Sequence, residues 1–176
     1  MNRALIGTLD RRLSEDTLAI DVPAGTAALD ILVENLGRVN FNKPIREERK
    51  GITTPVTLDD RELTAWEVFP LPMATMPMPK RETIAAATGP AFYRGSFTLS
   101  TTGDTFLDTR GWGKGTVVVN GHHLGRFWSI GPQQTLYIPG PWLRKGANDI
   151  VVFTLDTPAK MTMAGLAAPV LNELAK

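Results

Sequence analysis

The sequence predicts an all-β fold, an antiparallel β-sandwich or jelly roll. Three observations carry this. Thirteen prolines and sixteen glycines among 176 residues punctuate the chain at short intervals. That is the pattern of many short strands, not of long helices. The runs between them alternate apolar with polar or are β-branched, as in TVVVN at 116–120, which suits a buried strand. Asn120-Gly121 follows that run directly, and this pair favours the tight hairpin turn whose two central residues both need φ > 0.

The elements read in order. Residues 4–8 form a first strand piece, and 17–22 alternate Leu18, Ile20 and Val22 against Thr17, Ala19 and Asp21. Pro23-Ala24-Gly25 turns the chain into 28–34, where Leu29, Ile31 and Val33 share a face. Residues 35–40 read as a turn or bulged crossing. The cluster KPIREERK at 43–50 carries both charge signs and reads as a solvated loop or short helical turn. A module boundary is expected near Gly51. A strand at 56–58, the turn Asp59-Asp60 and a segment through Trp66 to Phe69 follow. Residues 70–90 hold five prolines and three of the six methionines. They read as a long surface loop, with a helical turn at 82–87, that packs against something else. Regular strands are expected at 91–100, 105–108, 116–120, 123–128, 135–139 and 149–155. A tight turn at 141–146 closes the sandwich end, and the tail adds one edge strand and a short helical end.

Composition bounds the function. The chain is long enough for one domain, or one domain and part of another, and should bury roughly 70% of its unfolded surface. Nineteen basic and eighteen acidic side chains leave a net charge of +1, against a dedicated nucleic-acid binder. Cysteine is absent, so neither disulfides nor thiolate sites form; this leaves the compartment open. The first twenty residues lack the apolar core of a secretory leader, and no apolar run reaches membrane-spanning length.

Catalytic motifs are missing from the pattern. His122 and His123 are adjacent on a strand, so their side chains point to opposite faces and do not converge on one ion. Ser14 and Ser129 lack the G-x-S-x-G setting of a hydrolase nucleophile. A glycosidase needs two carboxyls roughly 5 to 9.5 Å apart across a sugar. Asp10, Asp16, Asp59, Asp60, Glu62, Glu67, Asp104 and Asp108 mostly flank turns, where Asp serves backbone hydrogen bonding, and no βα repeat builds a barrel to carry them. No EF-hand loop is present, and no metal or cofactor is predicted. The aromatic set fits sugar better. Trp112 sits between glycines in RGWGKG, which lets the backbone turn and leaves the ring open. Sugar rings stack on aromatic faces and their hydroxyls take planar polar partners. Trp112, Asn120, His122, Arg126 and Trp128 supply that set; the competing reading puts Trp128 and Trp142 in the core or against a neighbouring domain.

The motifs AFYRGSF, TFLDTRGWGKG, VVVNGHHLGRFW, GPQQTLYIP and WLRKGANDIVVF resemble the C-terminal jelly-roll domain of glycoside hydrolase family 35 β-galactosidases. IGTLDRR and LDILVENLGRVNFNKPIREERKGI resemble the preceding β-domain of those enzymes, and LTAWEVFPLPM the start of the last one. The resemblance covers about nine-tenths of the chain. It implies a galactose-binding-domain-like fold, with residues 1–50 a partial β-domain and 51–176 the jelly roll. It also implies that the catalytic glutamates lie on an absent (β/α)8 barrel, so this chain alone is not an enzyme. Met1 then resembles the start of a fragment. The expected role is a non-catalytic accessory region that braces the barrel and contacts galactosides; the alternatives are an autonomous carbohydrate-binding module and a small complete hydrolase. Unpaired strand edges in 1–50 are expected to drive self-association. Neither nucleic acid nor membrane is an expected partner.

Overall fold

The computed structural model describes residues 1–2, 4–35, 37, 39–79, 87–131 and 134–171. Its contacts divide the chain into two units, Met1–Leu71 and Pro72–Lys176. The expected boundary at Gly51 lies inside the first unit. Gly51 turns the backbone at φ 81°, and Arg11 Nη1 donates to the Arg49 carbonyl at 3.1 Å, which ties the charge cluster to the chain's beginning.

In the first unit the charge cluster makes one helical turn, α1 (Pro44–Glu47), opened by Pro44, whose fixed φ suits a first helical position. Lys50 Nζ donates to Glu48 Oε1 at 2.6 Å and the Val39 N–H to Glu48 Oε2 at 3.2 Å. A two-stranded ladder, β1 (Thr57–Leu58) and β2 (Arg61–Glu62), closes around Asp59, which takes φ 50°. The strands expected at 4–8, 17–22 and 28–34 join no ladder among the described residues. Alternation specifies which face of a strand is apolar, but a strand also needs a neighbour to hydrogen-bond. Here the cross-links are isolated, such as the Asn2 N–H to the Ala28 carbonyl at 2.9 Å, and Leu5, Leu18, Ile31 and Val33 are exposed.

The second unit is the sandwich. β3 (Ala91–Leu99), β4 (Thr105–Asp108), β5 (Lys114–Val119), β6 (His122–Trp128), β7 (Thr135–Ile138), β8 (Gly146–Thr154) and β9 (Gly165–Leu166) follow in sequence. They form an antiparallel four-stranded sheet, order β3-β8-β5-β6, and a three-stranded sheet, order β7-β4-β9. The six regular strands stand where the alternation placed them, within a few residues at the ends, and β9 is the extra edge strand of the tail. The helical turn expected at 82–87 and the helical end fall largely outside the described residues. The core lies between the sheets: Tyr93, Val117, Val119, Phe127 and Val152 from one, Leu107, Leu136 and Ile138 from the other. Such interiors pack at crystal-like density.

The outer face of the four-stranded sheet is covered in part as well. Val118 and Val151 point away from the core, and Met76 is buried on them, flanked by Met73, Phe92 and Phe153. The proline- and methionine-rich loop therefore packs against its own sheet, where flexible thioethers fill the uneven surface around the Phe92–Phe153 ring pair.

Gly115 in β5 is where two strands and a ring come closest. A Cβ there would run into the Phe153 carbonyl oxygen and lie 2.8 Å from Phe127 Cζ. Gly115→Ala should therefore destabilise the sandwich by about 1–3 kcal/mol, the usual cost of overpacking, read as a lower thermal midpoint. An unchanged midpoint would contradict the packing described.

Candidate functional site

The β5–β6 hairpin closes as the Asn-Gly pair requires. Asn120 and Gly121 take φ 50° and 86°, and Val119 pairs with His122 across a two-residue turn. Both central residues thus have the positive φ of the favoured hairpin turn. The Asn120 side chain does structural work beyond the turn. Its Nδ2 donates to the Trp142 carbonyl and to Asn148 Oδ1, each at 2.8 Å, and its Oδ1 accepts from the Asp149 N–H at 3.0 Å. Asn148 is buried; its Nδ2 donates to the Arg144 and Gly146 carbonyls at 2.8 and 3.0 Å, and its Oδ1 accepts from the Arg144 N–H at 2.8 Å. Two amides thereby clamp the hairpin, the 3-10 turn Gly140–Trp142 and the start of β8 into one end of the sandwich. A buried amide satisfied as fully as Asn148 costs little to bury and much to break.

That clamp presents an aromatic pair. The exposed His122 ring lies flat on Trp142, centroids 4.6 Å apart and planes 9° off parallel. His122 pairs with Val119 and His123 with Val118, so the two imidazoles face opposite sides of the sheet, as adjacent strand positions must. Arg126 pairs with Thr116 and Trp128 with Lys114, on the side away from the core. There the Lys114 ammonium stands 4.1 Å over the Trp128 ring, a cation–π contact. A bulge between Val117 and Val118 leaves Leu124 as the extra residue, and Gly125 absorbs it at φ 109°.

Trp112 lies elsewhere. Its ring is 4% exposed, meets Tyr93 edge-on at 5.3 Å, and donates its Nε1–H to the Thr162 carbonyl at 3.0 Å. The flanking glycines turn the backbone, with Gly113 at φ 68°, but they turn the ring inward. The five residues nominated for sugar therefore occupy three places: Trp112 in the core, Asn120 in the clamp with His122 beside it, Arg126 and Trp128 on the outer face. Trp142, read from sequence as a core or contact ring, is the one that stacks with His122. Its partner was not legible, because the two are distant in sequence and meet only through the clamp.

Two of the carboxylates named above, Asp104 and Asp108, are held by hydrogen bonds. Asp104 Oδ1 accepts from the Gly140 N–H and Oδ2 from the Tyr137 hydroxyl, each at 2.8 Å. The Gly140 N–H first, then Tyr137, hold its pKa below the ordinary carboxylate value, and Tyr137 is raised in turn by that hydrogen bond. Asp108 is lowered by the Arg110 guanidinium that grips it at 2.7 Å.

The family model described as the β-galactosidase galactose-binding domain matches residues 90–148, from the start of β3 into β8. The model described as the first all-beta domain of β-galactosidase matches residues 1–72, ending where the contact division falls. The chain belongs to the β-galactosidases of glycoside hydrolase family 35. It carries non-catalytic accessory domains of that family. A β-galactosidase of Xanthomonas manihotis is 46% identical over 133 residues, 76% of this chain and 22% of the relative. Human β-galactosidase-1-like protein 2 is 40% identical over 179 aligned positions, 95% of this chain and 26% of the relative. Arabidopsis thaliana β-galactosidase 17 is 35% identical over 175, 87% of this chain and 25% of the relative. The chain thus spans about a quarter of the length of these relatives.

A depressed folded-state pKa contributes stability that is complete above the unfolded pKa and is lost as pH falls through the folded value. For Asp104 and Asp108 the loss should begin near pH ~4 and continue below it. Tyr137, raised, contributes below pH ~10 and loses that contribution as pH rises further. Thermal midpoints measured against pH should fall at both ends, and Asp104→Asn should flatten both arms. Identical arms in the variant would sink this assignment.

Proposed function

We propose that this chain braces a β-galactosidase: its first unit packs against the catalytic (β/α)8 barrel carried elsewhere in the parent enzyme. One observation supports the reading above others. No described residue between 1 and 71 is buried, and sixteen of the twenty exposed large hydrophobic side chains among the described residues lie there. Apolar surface of that extent gains roughly 25 cal/mol for each Å² covered, and the segment 64–71 offers Trp66, Val68, Phe69 and Leu71 in succession. The share of the relatives' length that this chain spans supports the remainder of such an enzyme as the covering surface. The catalytic glutamates belong to the barrel, and this chain supplies none.

A second reading, an autonomous carbohydrate-binding module, draws on the exposed His122 ring stacked on Trp142, with Asn120 behind it and Arg126 and Trp128 as contacts on the other face. Under this reading Trp112 contributes by shaping the fold around the site.

The test co-expresses this chain with the Xanthomonas relative shortened by the aligned region. The brace should co-purify and restore β-galactoside hydrolysis. A Val68→Asp, Phe69→Asp variant changes exposed positions, which normally costs the fold under about 0.5 kcal/mol, and should lose the complex. A chain that neither binds nor restores activity, yet shows saturable galactose-dependent change in tryptophan fluorescence, would replace the brace with the module.

A further inference from the structure

We propose that the outer edge of β3 is a strand-acceptor site, filled by β3 of a second copy of this chain. This interface is separate from the apolar surface of the first unit and does not depend on the bracing role.

The direction of the β3 main chain follows from its neighbour. The Asp149 N–H donates to Asn120 Oδ1, and the Asp149 carbonyl accepts from the Asn120 N–H, each at 3.0 Å. Both main-chain groups of Asp149 therefore point away from β3. Asp149 stands opposite Ser96, so this pair exchanges no ladder bonds, and the Ser96 N–H and carbonyl point outward. The period of two extends this to Phe92, Arg94 and Thr98. Among the described residues no strand pairs with that side of β3.

Sheet edges are normally guarded by charge, proline, bulges or shortness. The opposite edge of the same sheet, β6, is guarded: it carries the bulge at Leu124 and the side chains of His122, His123 and Arg126. β3 has none of these devices. It runs nine residues in unbroken register with β8. It contains no proline, and its one charge, Arg94, is turned across the ladder to Asp149 at 2.9 Å. The exposed positions, Ser96 and Thr98, are small and neutral.

The strand is also complementary to itself. An antiparallel two-fold that keeps all of Ala91–Leu99 paired sets Gly95 against its own copy. Arg94 then faces the second copy's Ser96, and Phe92 its Thr98, so every outward-pointing residue meets another. Gly95 falls at a pair that exchanges no hydrogen bonds, where Cα atoms approach to about 4.5 Å. Each Arg94 arrives already neutralised by Asp149, so the axis gathers no net charge. The product is one continuous eight-stranded sheet, a form of β-augmentation.

Sedimentation of the full chain should show the 19.2 kDa species doubling in mass as concentration rises. Amide exchange should slow on doubling at Phe92, Arg94, Ser96 and Thr98, and stay unchanged at Tyr93 and Phe97, which face β8. Ser96→Pro removes an outward N–H that no ladder uses, a place where an edge strand tolerates proline; Thr98→Lys adds the missing guard without a backbone constraint. Either variant, shown folded by an unchanged thermal midpoint, should remain at the monomer mass. A wild-type chain that stays monomeric overturns the proposal. So does a dimer that survives Thr98→Lys but dissolves in Leu18→Asp, which would place the contact on the first unit.

Discussion

Strand β8 is the constraint on which the sandwich depends. Like β5, it is paired along most of its length on both edges, with β3 on one side and β5 on the other, and it is covered on both faces. Val152 belongs to the core between the sheets and Val151 to the cluster under Met76. A strand buried on all four sides has no tolerance for slippage, because a one-residue shift would exchange its two apolar faces. Its start is set by Asn148 and Asp149, both held by Asn120 or its neighbours, so the same bonds that close the β5–β6 hairpin also set the register of the central strand. Thr154, fully buried, anchors the other end by donating to the Trp112 carbonyl at 2.8 Å.

The two units stand in physical contrast. The second has a core, a clamp at one end and a loop of its own laid across the outer face. The first has strand-like sequences, one short ladder and no buried residue among those described. Alternating apolar residues in the first unit are therefore not defects of its sequence. They leave exposed apolar surface of the kind that a second surface would cover.

Much of the second unit was legible residue by residue. Val117, Val118 and Val119 announced a strand covered on both sides, and Asn120-Gly121 announced its hairpin. Lengths and order of the main strands followed from where Gly, Pro and Asp fell. The candidate site was legible only as an inventory of residue types. Trp112 between glycines looks the same in sequence whether its ring turns outward or, as found, inward onto Tyr93. His122 and Trp142 carry no pattern linking them; their stacking follows from the clamp.

The sequence by itself determined which segments are extended, which faces are apolar, where the chain must turn and the family the chain belongs to, because these follow from local sterics, side-chain periodicity and motif order. Only the tertiary structure decided which strands are neighbours, which tryptophan is covered and which sheet edge has no pairing strand among the described residues. Those outcomes depend on contacts between residues far apart in the chain, and no local preference encodes which distant surface will be present to complete a ladder or bury a ring.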